Sequence, residues 1–169
     1  MRKLLVFLYE SAAWLATLSM IGLLGMVLLS ILGRQLDFQL PGTDAYAGYS
    51  MAAAGFLALS HTLKRNEHIR VTLILGRLKG RARHLLEMCA LTAAVVLAGL
   101  LAYYSVRLTF ISHNMHDIST SQDATPLWIP QLAMAWGTVI LLVALIDEWV
   151  LELRGLRSSE ASVEAGRHE

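Results

Sequence analysis

The stretch that decides the fold is "SAAWLATLSMIGLLGMVLLSILG", residues 11–33, which is 23 residues long and contains no charged side chain. A helix rises about 1.5 Å per residue, so about 20 apolar residues cross the roughly 30 Å hydrocarbon core of a bilayer. The stretch therefore predicts a transmembrane helix. Arg2 and Lys3 precede the stretch, as basic residues precede the apolar region of a signal peptide. The stretch is too long for that apolar region, however, and no small-residue cleavage pattern follows it. We expect an uncleaved first span.

The rest of the chain has a similar composition. Of its 169 residues 56% are hydrophobic and only 16% are charged, with a mean hydropathy of +0.53. Soluble domains carry about a quarter charged residues. Further apolar blocks cover 45–63, 85–108 and 127–153, the first of these being the weakest because it is rich in Ala and Gly. The chain is therefore predicted to be an all-α integral membrane protein with four transmembrane helices in one domain, 1–155, followed by a disordered cytoplasmic tail, 156–169.

The distribution of basic residues predicts the orientation. The segment 61–87 carries seven Lys or Arg against two acidic residues, although the formal net charge of the chain is only +1. Basic residues also precede the first span and follow the fourth, whereas the loops after the first and third spans are nearly free of them. Lys and Arg near span ends mark the cytoplasmic side. Both termini and the basic loop are therefore expected in the cytoplasm.

The basic loop also has a helical pattern. Apolar residues recur at three- and four-residue spacing at Val71, Ile74, Leu75, Leu78, Ala82 and Leu85. This pattern predicts an amphipathic interfacial helix at 67–84 lying in the headgroup layer. The residues predicted to bind lipid headgroups are Arg70, Arg77, Lys79, Arg81 and Arg83. A solvated linker is the alternative, because Gly76 and Gly80 each weaken a helix by about 1 kcal/mol.

Small residues indicate where helices approach closely. Two sets recur at three- and four-residue spacing: Ala45, Gly48, Ala52 and Gly55 in the second span, and Ala90, Ala94 and Ala98 in the third. Such faces let another backbone come near in a membrane. The partner is either another helix of this chain or another protein, and the sequence leaves both open.

The sequence contains few residues that could form a catalytic, transport or cofactor site. The middles of the predicted spans contain no Asp, Glu, Lys, Arg or His, whereas ionisable groups there usually mark a transport pathway. No phosphate-binding Gly loop or nucleophile–base pair is present, and the basic stretch lacks the aromatics that stack on nucleic acid. We therefore predict no enzyme, no cofactor and no nucleic-acid partner. Cys89 is expected to be a small buried hydrophobe, and Trp136 is expected to pack on a neighbouring helix.

Histidines leave two alternatives. His61 and His84 flank the basic loop and could together ligate a haem iron, as in a haem-bearing membrane anchor of a redox complex; ordinary interfacial histidines are the commoner case. The segment "HNMHD", 113–117, places two histidines three residues apart. It could hold a metal weakly, but a solvated loop is the better interpretation because no further ligand cluster is near.

Two stretches carry a resemblance to a known family: "GRQLDFQLPGTDAYAGYSMAAAGFLALSHTLKRNEHIRVTLIL", 33–75, and "TPLWIPQLAMAWGTVILL", 125–142. The chain resembles the small membrane subunit, DctQ-like, of tripartite ATP-independent periplasmic (TRAP) transporters over residues 11–154. The matching positions are Gly33, Arg34, Asp44, His68, Ile69, Arg70, Val71, Pro126, Trp128, Pro130 and Gly137. One departure is Asp44, where Glu is common in the family, and the charge is kept.

The resemblance implies a function. In such systems a periplasmic binding protein captures a small anionic solute, often a carboxylate, and a large multi-span subunit carries it inward on an ion gradient. The small subunit would be a scaffold in the bacterial inner membrane that stabilises the large one and helps receive the binding protein. The small residues at Gly48, Ala52, Gly55, Ala90, Ala94 and Ala98 become candidate contacts to the large subunit. Arg34 and Asp44 become candidate contacts to the binding protein, although Arg34 snorkelling to lipid phosphate is equally open.

Overall fold

The computed structural model describes residues 2–38, 41–64, 81–120 and 124–154. These residues form four α-helices: α1 at Arg2–Gln35, α2 at Thr43–Lys64, α3 at Arg81–Asn114 and α4 at Trp128–Leu153. The all-α prediction is confirmed, with one helix over each predicted span. α1 and α3 extend beyond the predicted limits, by nine residues before residue 11 and by six residues after 108.

Three of these helices are long and apolar enough to cross a membrane. Their apolar segments are Val6–Gln35, with 30 residues, His84–Asn114, with 31, and Trp128–Leu153, with 26. α2 has 22 residues, but its Ala, Gly and hydroxyl side chains make it less apolar, so its crossing stays a prediction. Of the predicted interfacial helix, residues 67–80 lie outside the described residues, and 81–84 form the first turn of α3. The predicted tail, 156–169, also lies outside them.

The helices pack in the order α1, α2, α4, α3. The main contacts join α1 to α2, α2 to α4 and α4 to α3. We call the end where α2 and α4 begin the Asp44 end, and the opposite one the Glu152 end. α1 also reaches α4 near the Glu152 end, in an apolar cluster of Tyr9, Ala12, Ile140 and Ala144 with Leu63 beside it. α2 and α4 are therefore interior helices, and α1 and α3 are edge helices.

Small side chains fill the interior and large ones cover the outside. Among the described residues, seven of the eleven buried apolar residues are alanines, and buried Ser and Thr line the α3–α4 contact. The edge helices expose large apolar side chains, including Trp14, Leu18, Leu24, Leu97, Tyr103 and Phe110. This distribution is typical of helices that associate within lipid, where close backbone packing replaces a hydrophobic core.

Two expectations about single residues were wrong. Cys89 is exposed, because it lies on a side of the edge helix α3 that no other described helix covers. Trp136 is 53% exposed and lies on the outer side of α4, where the groove between α3 and α4 leaves its indole uncovered.

Candidate partner-binding sites

A tight turn ends α1 and directs the chain into α2. The Phe38 N–H donates to the Gly33 carbonyl over 2.9 Å, and Asp37 between them has a φ of 52°. This is a Schellman motif, which closes a helix through one left-handed residue. A Cβ on Gly33 would lie 2.5 Å from the Phe38 oxygen, so only glycine fits there. The tight turn thus explains why the first residue of the Gly33–Arg34 pair is glycine.

The turn brings Arg34 and Asp44 together. Arg34 Nη2 lies 3.8 Å from Asp44 Oδ2, and the Ser30 hydroxyl donates to Asp44 Oδ1 over 3.2 Å. The side chains of Arg34 and Asp44 are 72% and 81% exposed. An ion pair so exposed contributes at most about 1 kcal/mol. Both groups therefore remain accessible to another polar surface at the Asp44 end.

The small-residue face of α2 is open. Gly48, Ala52 and Gly55 are exposed, and within the described residues no atom lies within 4 Å of a Cβ built on Gly48 or Gly55. Ala54 and Leu57, on the other side of the helix, are buried against its neighbours. The face defined by Gly48, Ala52 and Gly55, here called the thin face of α2, is therefore not used by the packing of the described helices.

The alanines of α3 do not form one face. Ala90 is exposed and Ala94 is half-buried, whereas Ala98 is only 6% exposed. A spacing of four drifts by about 40° at each step around a helix. The buried stripe of α3 alternates steps of four and three instead, at Ala98, Ala102, Ser105, Thr109 and Ser112. The Thr109 hydroxyl on this stripe lies within bonding distance of the Ser105 carbonyl in its own helix, 3.0 Å, and of the Gln131 carbonyl in α4, 3.3 Å.

Gly137 is where α4 crosses α2. A Cβ on Gly137 would lie 2.5 Å from the Phe56 oxygen, 2.6 Å from its carbonyl carbon and 3.0 Å from its Cβ. Thr138 beside it is fully buried and bonds to the Ala135 carbonyl of its own helix. The two backbones therefore meet without a side chain between them. This contact gives a physical reason for the glycine that the family resemblance noted.

Two tyrosines tie α2 to the loop between α3 and α4, a contact that the sequence did not reveal. The Tyr49 hydroxyl donates to Ser119 Oγ over 2.8 Å, and the Tyr46 hydroxyl lies 2.9 Å from Thr125 Oγ1. Backbone bonding between Ser119 and Thr125 closes the loop, with an isolated bridge between Ile118 and Pro126. Tyrosines three residues apart at a helix start were the one available signal.

At the Glu152 end, His84 Nδ1 lies 3.0 Å from the carboxylate of buried Glu152. The Trp149 indole nitrogen donates to Thr92 Oγ1 over 3.1 Å, which joins α4 to α3 nearby. The described part of the chain has no group of three His, Cys, Asp or Glu placed to hold a metal. The described contact of His84 is thus a carboxylate, which gives the haem alternative no support. Nothing in the sequence indicated that Glu152 would be buried in contact with His84.

At the Asp44 end, the segment 113–117 packs as part of a helix end. His113 stacks edge-on against Trp128 at 5.3 Å between ring centroids. His116 has a φ of 54°, and the Asp117 N–H donates to the Ser112 carbonyl over 3.1 Å, which closes α3 with a second Schellman motif. The histidine spacing therefore has a structural explanation in the turn.

Arg107 lies further inside its helix than expected. The sequence placed it at the edge of a span ending at 108, but α3 continues to Asn114. Seven residues of helix correspond to about 10 Å along the axis. The span continues because its polar residues Ser105 and Thr109 are buried against α4, where their hydroxyls do not interrupt the apolar outer surface.

Most of what was predicted about lipid-binding residues concerns positions outside the described residues. Arg70, Arg77 and Lys79 lie outside the described residues, as do the side chains of Arg81 and Arg83. The same holds for the family positions His68, Ile69 and Val71. Pro130, by contrast, lies in the first turn of α4, where its missing N–H removes no helical bond.

Comparison with known proteins gives one family. The family model described as "Tripartite ATP-independent periplasmic transporters, DctQ component" matches residues 23–155. The match spans most of the chain, from the middle of α1 to just past α4. No curated protein matches the chain significantly.

Proposed function

This chain belongs to the DctQ family, the small membrane component of TRAP transporters, and we propose that it acts as a non-catalytic scaffold for the large carrier subunit. TRAP systems are tripartite, so a large membrane subunit and a solute-binding protein are the expected partners. On this proposal the chain carries no solute itself. It holds the carrier in the bacterial inner membrane while the carrier takes up a small organic anion, such as a carboxylate, on an ion gradient.

The observation that carries the proposal is the thin face of α2. Small residues in a membrane helix let a second helix approach closely enough for dispersion contacts along the backbone. Gly137 shows such a close approach inside the chain, because the Phe56 backbone occupies the space that a side chain at position 137 would need. Gly48 and Gly55 have the same character but face open space. A helix of the large subunit is the partner that the tripartite assembly offers.

The second part of the proposal concerns the binding protein. With both termini in the cytoplasm, the Asp44 end faces the periplasm, and the exposed Arg34–Asp44 pair lies on that surface. A rim of exposed charges steers association more than it adds affinity. Arg34 and Asp44 would then guide the binding protein onto the membrane subunits. Snorkelling of Arg34 to phosphate is the competing role, and it requires no partner protein.

The scaffold role is tested by filling the thin face. Gly55→Leu adds a branched side chain where the partner helix would lie, and we expect at least a tenfold loss (about 1.4 kcal/mol) of large subunit co-purified with the chain. Gly25→Leu on α1 is the matched control, because Gly25 also has nothing described within 4 Å of an added Cβ but lies outside the thin face. Equal recovery of the large subunit with both variants would reject the thin face as the contact.

A further inference from the structure

Arg107 is a cation on an otherwise apolar helix surface. The neighbouring exposed side chains at three- and four-residue spacing are Tyr103, Tyr104, Phe110 and Ile111. The guanidinium forms no hydrogen bond or ion pair with any side chain among the described residues. A charged group within an apolar span is costly and is normally paired. The pairing group is therefore to be sought outside the described part of the chain.

Arg107 points away from the other helices. The residues of α3 that pack on α4 include Ser105 and Thr109, each two positions from Arg107. Because successive residues are about 100° apart around a helix, Arg107 lies about 200° from both. The Arg107 side chain therefore lies away from the contact of the two helices, at the outer edge of a pocket that Val139 and Leu142 of α4 also line. The guanidinium is directed at whatever lies against the outer surface of α3.

The Cα–Cβ bond of Arg107 is directed toward the interior of the span. Cβ atoms tilt toward the N-terminus of their helix, so Arg107 leans toward the Gly99 level and away from the nearer end of α3. That end is marked by the contact of His113 with Trp128. Arg107 is six residues, or about 9 Å, further in. If the 31-residue span His84–Asn114 is centred in the bilayer, Arg107 lies about 12 Å from the midplane, inside the roughly 15 Å half-thickness of the hydrocarbon. A carboxylate on a neighbouring helix can pair with it at that depth.

A groove for such a helix lies beside Arg107. It runs between α3 and α4 in two adjoining parts of about 510 and 520 Å³, which share Val106, Phe110 and Val139 as walls. Arg107 lines the second part, together with the small residues Gly99 and Ala102. Val139 is two residues from Gly137 and so lies on the side of α4 opposite α2. The groove is thus a different surface from the thin face.

We propose that this groove receives a transmembrane helix of the large subunit, and that an Asp or Glu on that helix forms an ion pair with Arg107. The proposal rests on the scaffold function and names the chemistry of a second contact. The apolar walls, with small residues among them, fit an apolar helix, and the single cation requires one acidic residue at matching depth. A buried ion pair of this kind fixes the register and identity of a partner, because a mismatched helix leaves a charge unpaired.

The test replaces Arg107 in the complete transporter. Arg107→Leu and Arg107→Glu are expected to lower the amount of co-purified large subunit by about tenfold or more, while Arg107→Lys, which keeps the charge, retains most of it. The helix content of each variant, measured alone by circular dichroism, should equal that of the original chain. An acidic residue of the large subunit, changed to Arg, should restore assembly with Arg107→Glu.

A photo-cross-linking amino acid in place of Phe110 identifies the occupant directly. A cross-link to the large subunit supports the proposal, with the same group in place of Trp14 on α1 as the control that should give none. A cross-link to phospholipid or to a second copy of this chain, or unchanged assembly with both Arg107→Leu and Arg107→Glu, overturns it. If the unaltered chain itself fails to co-purify with the large subunit, the scaffold function fails instead.

Discussion

Gly137→Ala should destabilise the chain although alanine is the better helix former. The new Cβ would lie 2.5–3.0 Å from the oxygen, carbonyl carbon and Cβ of Phe56. Two of these are backbone atoms, and the Phe56 carbonyl is also the α-helical acceptor for the Ser60 N–H. They cannot rotate aside, so α2 and α4 must separate.

The magnitude follows from two opposing terms. Overpacking costs about 1–3 kcal/mol, and a backbone obstacle favours the upper part of that range. Replacing glycine by alanine inside a helix returns about 1 kcal/mol. The net loss for Gly137→Ala is therefore about 1–2 kcal/mol. Gly25→Ala, whose Cβ meets nothing described within 4 Å, should gain up to about 1 kcal/mol.

The assay is reversible unfolding of the purified chain in mixed micelles by titration with a denaturing detergent, followed by circular dichroism. The free energies of unfolding of the two variants should differ by about 1–3 kcal/mol, with opposite signs relative to the original chain. If Gly137→Ala proves as stable as Gly25→Ala, the close crossing of α2 and α4 is wrong and with it the helix order given above.

Two further predictions concern the Asp44 end. Arg34→Glu should break the pair with Asp44 and slow association of the binding protein by about tenfold at low salt. The association rate is measured by surface plasmon resonance on the reconstituted transporter. Unchanged association and uptake would leave snorkelling as the role of Arg34. Tyr49→Phe removes the donor to Ser119 Oγ, a hydrogen bond worth about 1 kcal/mol. The rate of amide exchange across residues 117–127 should therefore rise about fivefold. Tyr103→Phe is the control: the Tyr103 ring is exposed and remote from that loop, so its loss of a hydroxyl should leave the exchange rate unchanged.

The helices were predictable because the physical requirement is coarse. An uncharged run of 23 residues, as at 11–33, has few alternatives to a membrane helix. Two further long apolar blocks, at 85–108 and 127–153, carry charges only near their ends, and together the three indicate an all-α chain. Their ends were less predictable. The predicted third span ended at 108, just after the charge of Arg107, whereas α3 continues to Asn114. A hydroxyl that bonds to its own helix, as Thr109 does to Ser105, continues the helix at little cost.

The candidate contacts were only partly predictable, because the sequence does not show which atoms lie opposite a glycine. Gly25, Gly55 and Gly137 are alike in sequence, yet a Cβ would meet open space on the first two and the Phe56 backbone on the third. Ala98 fitted a small-residue pattern but is buried against α4 in the chain itself. Spacing shows that a face is thin, and only the neighbouring helix decides whether the face is already occupied.

The two proposed contacts place different demands on a partner. The thin face of α2 requires only that a backbone come close, so it would stabilise many apolar helices with small residues and discriminate little among them. The groove beside Arg107 demands an acidic residue at one depth, so it would reject most helices even where their shape fits. A scaffold for one carrier needs both properties. On this view the thin face supplies most of the association energy, and the guanidinium of Arg107 supplies the choice of partner.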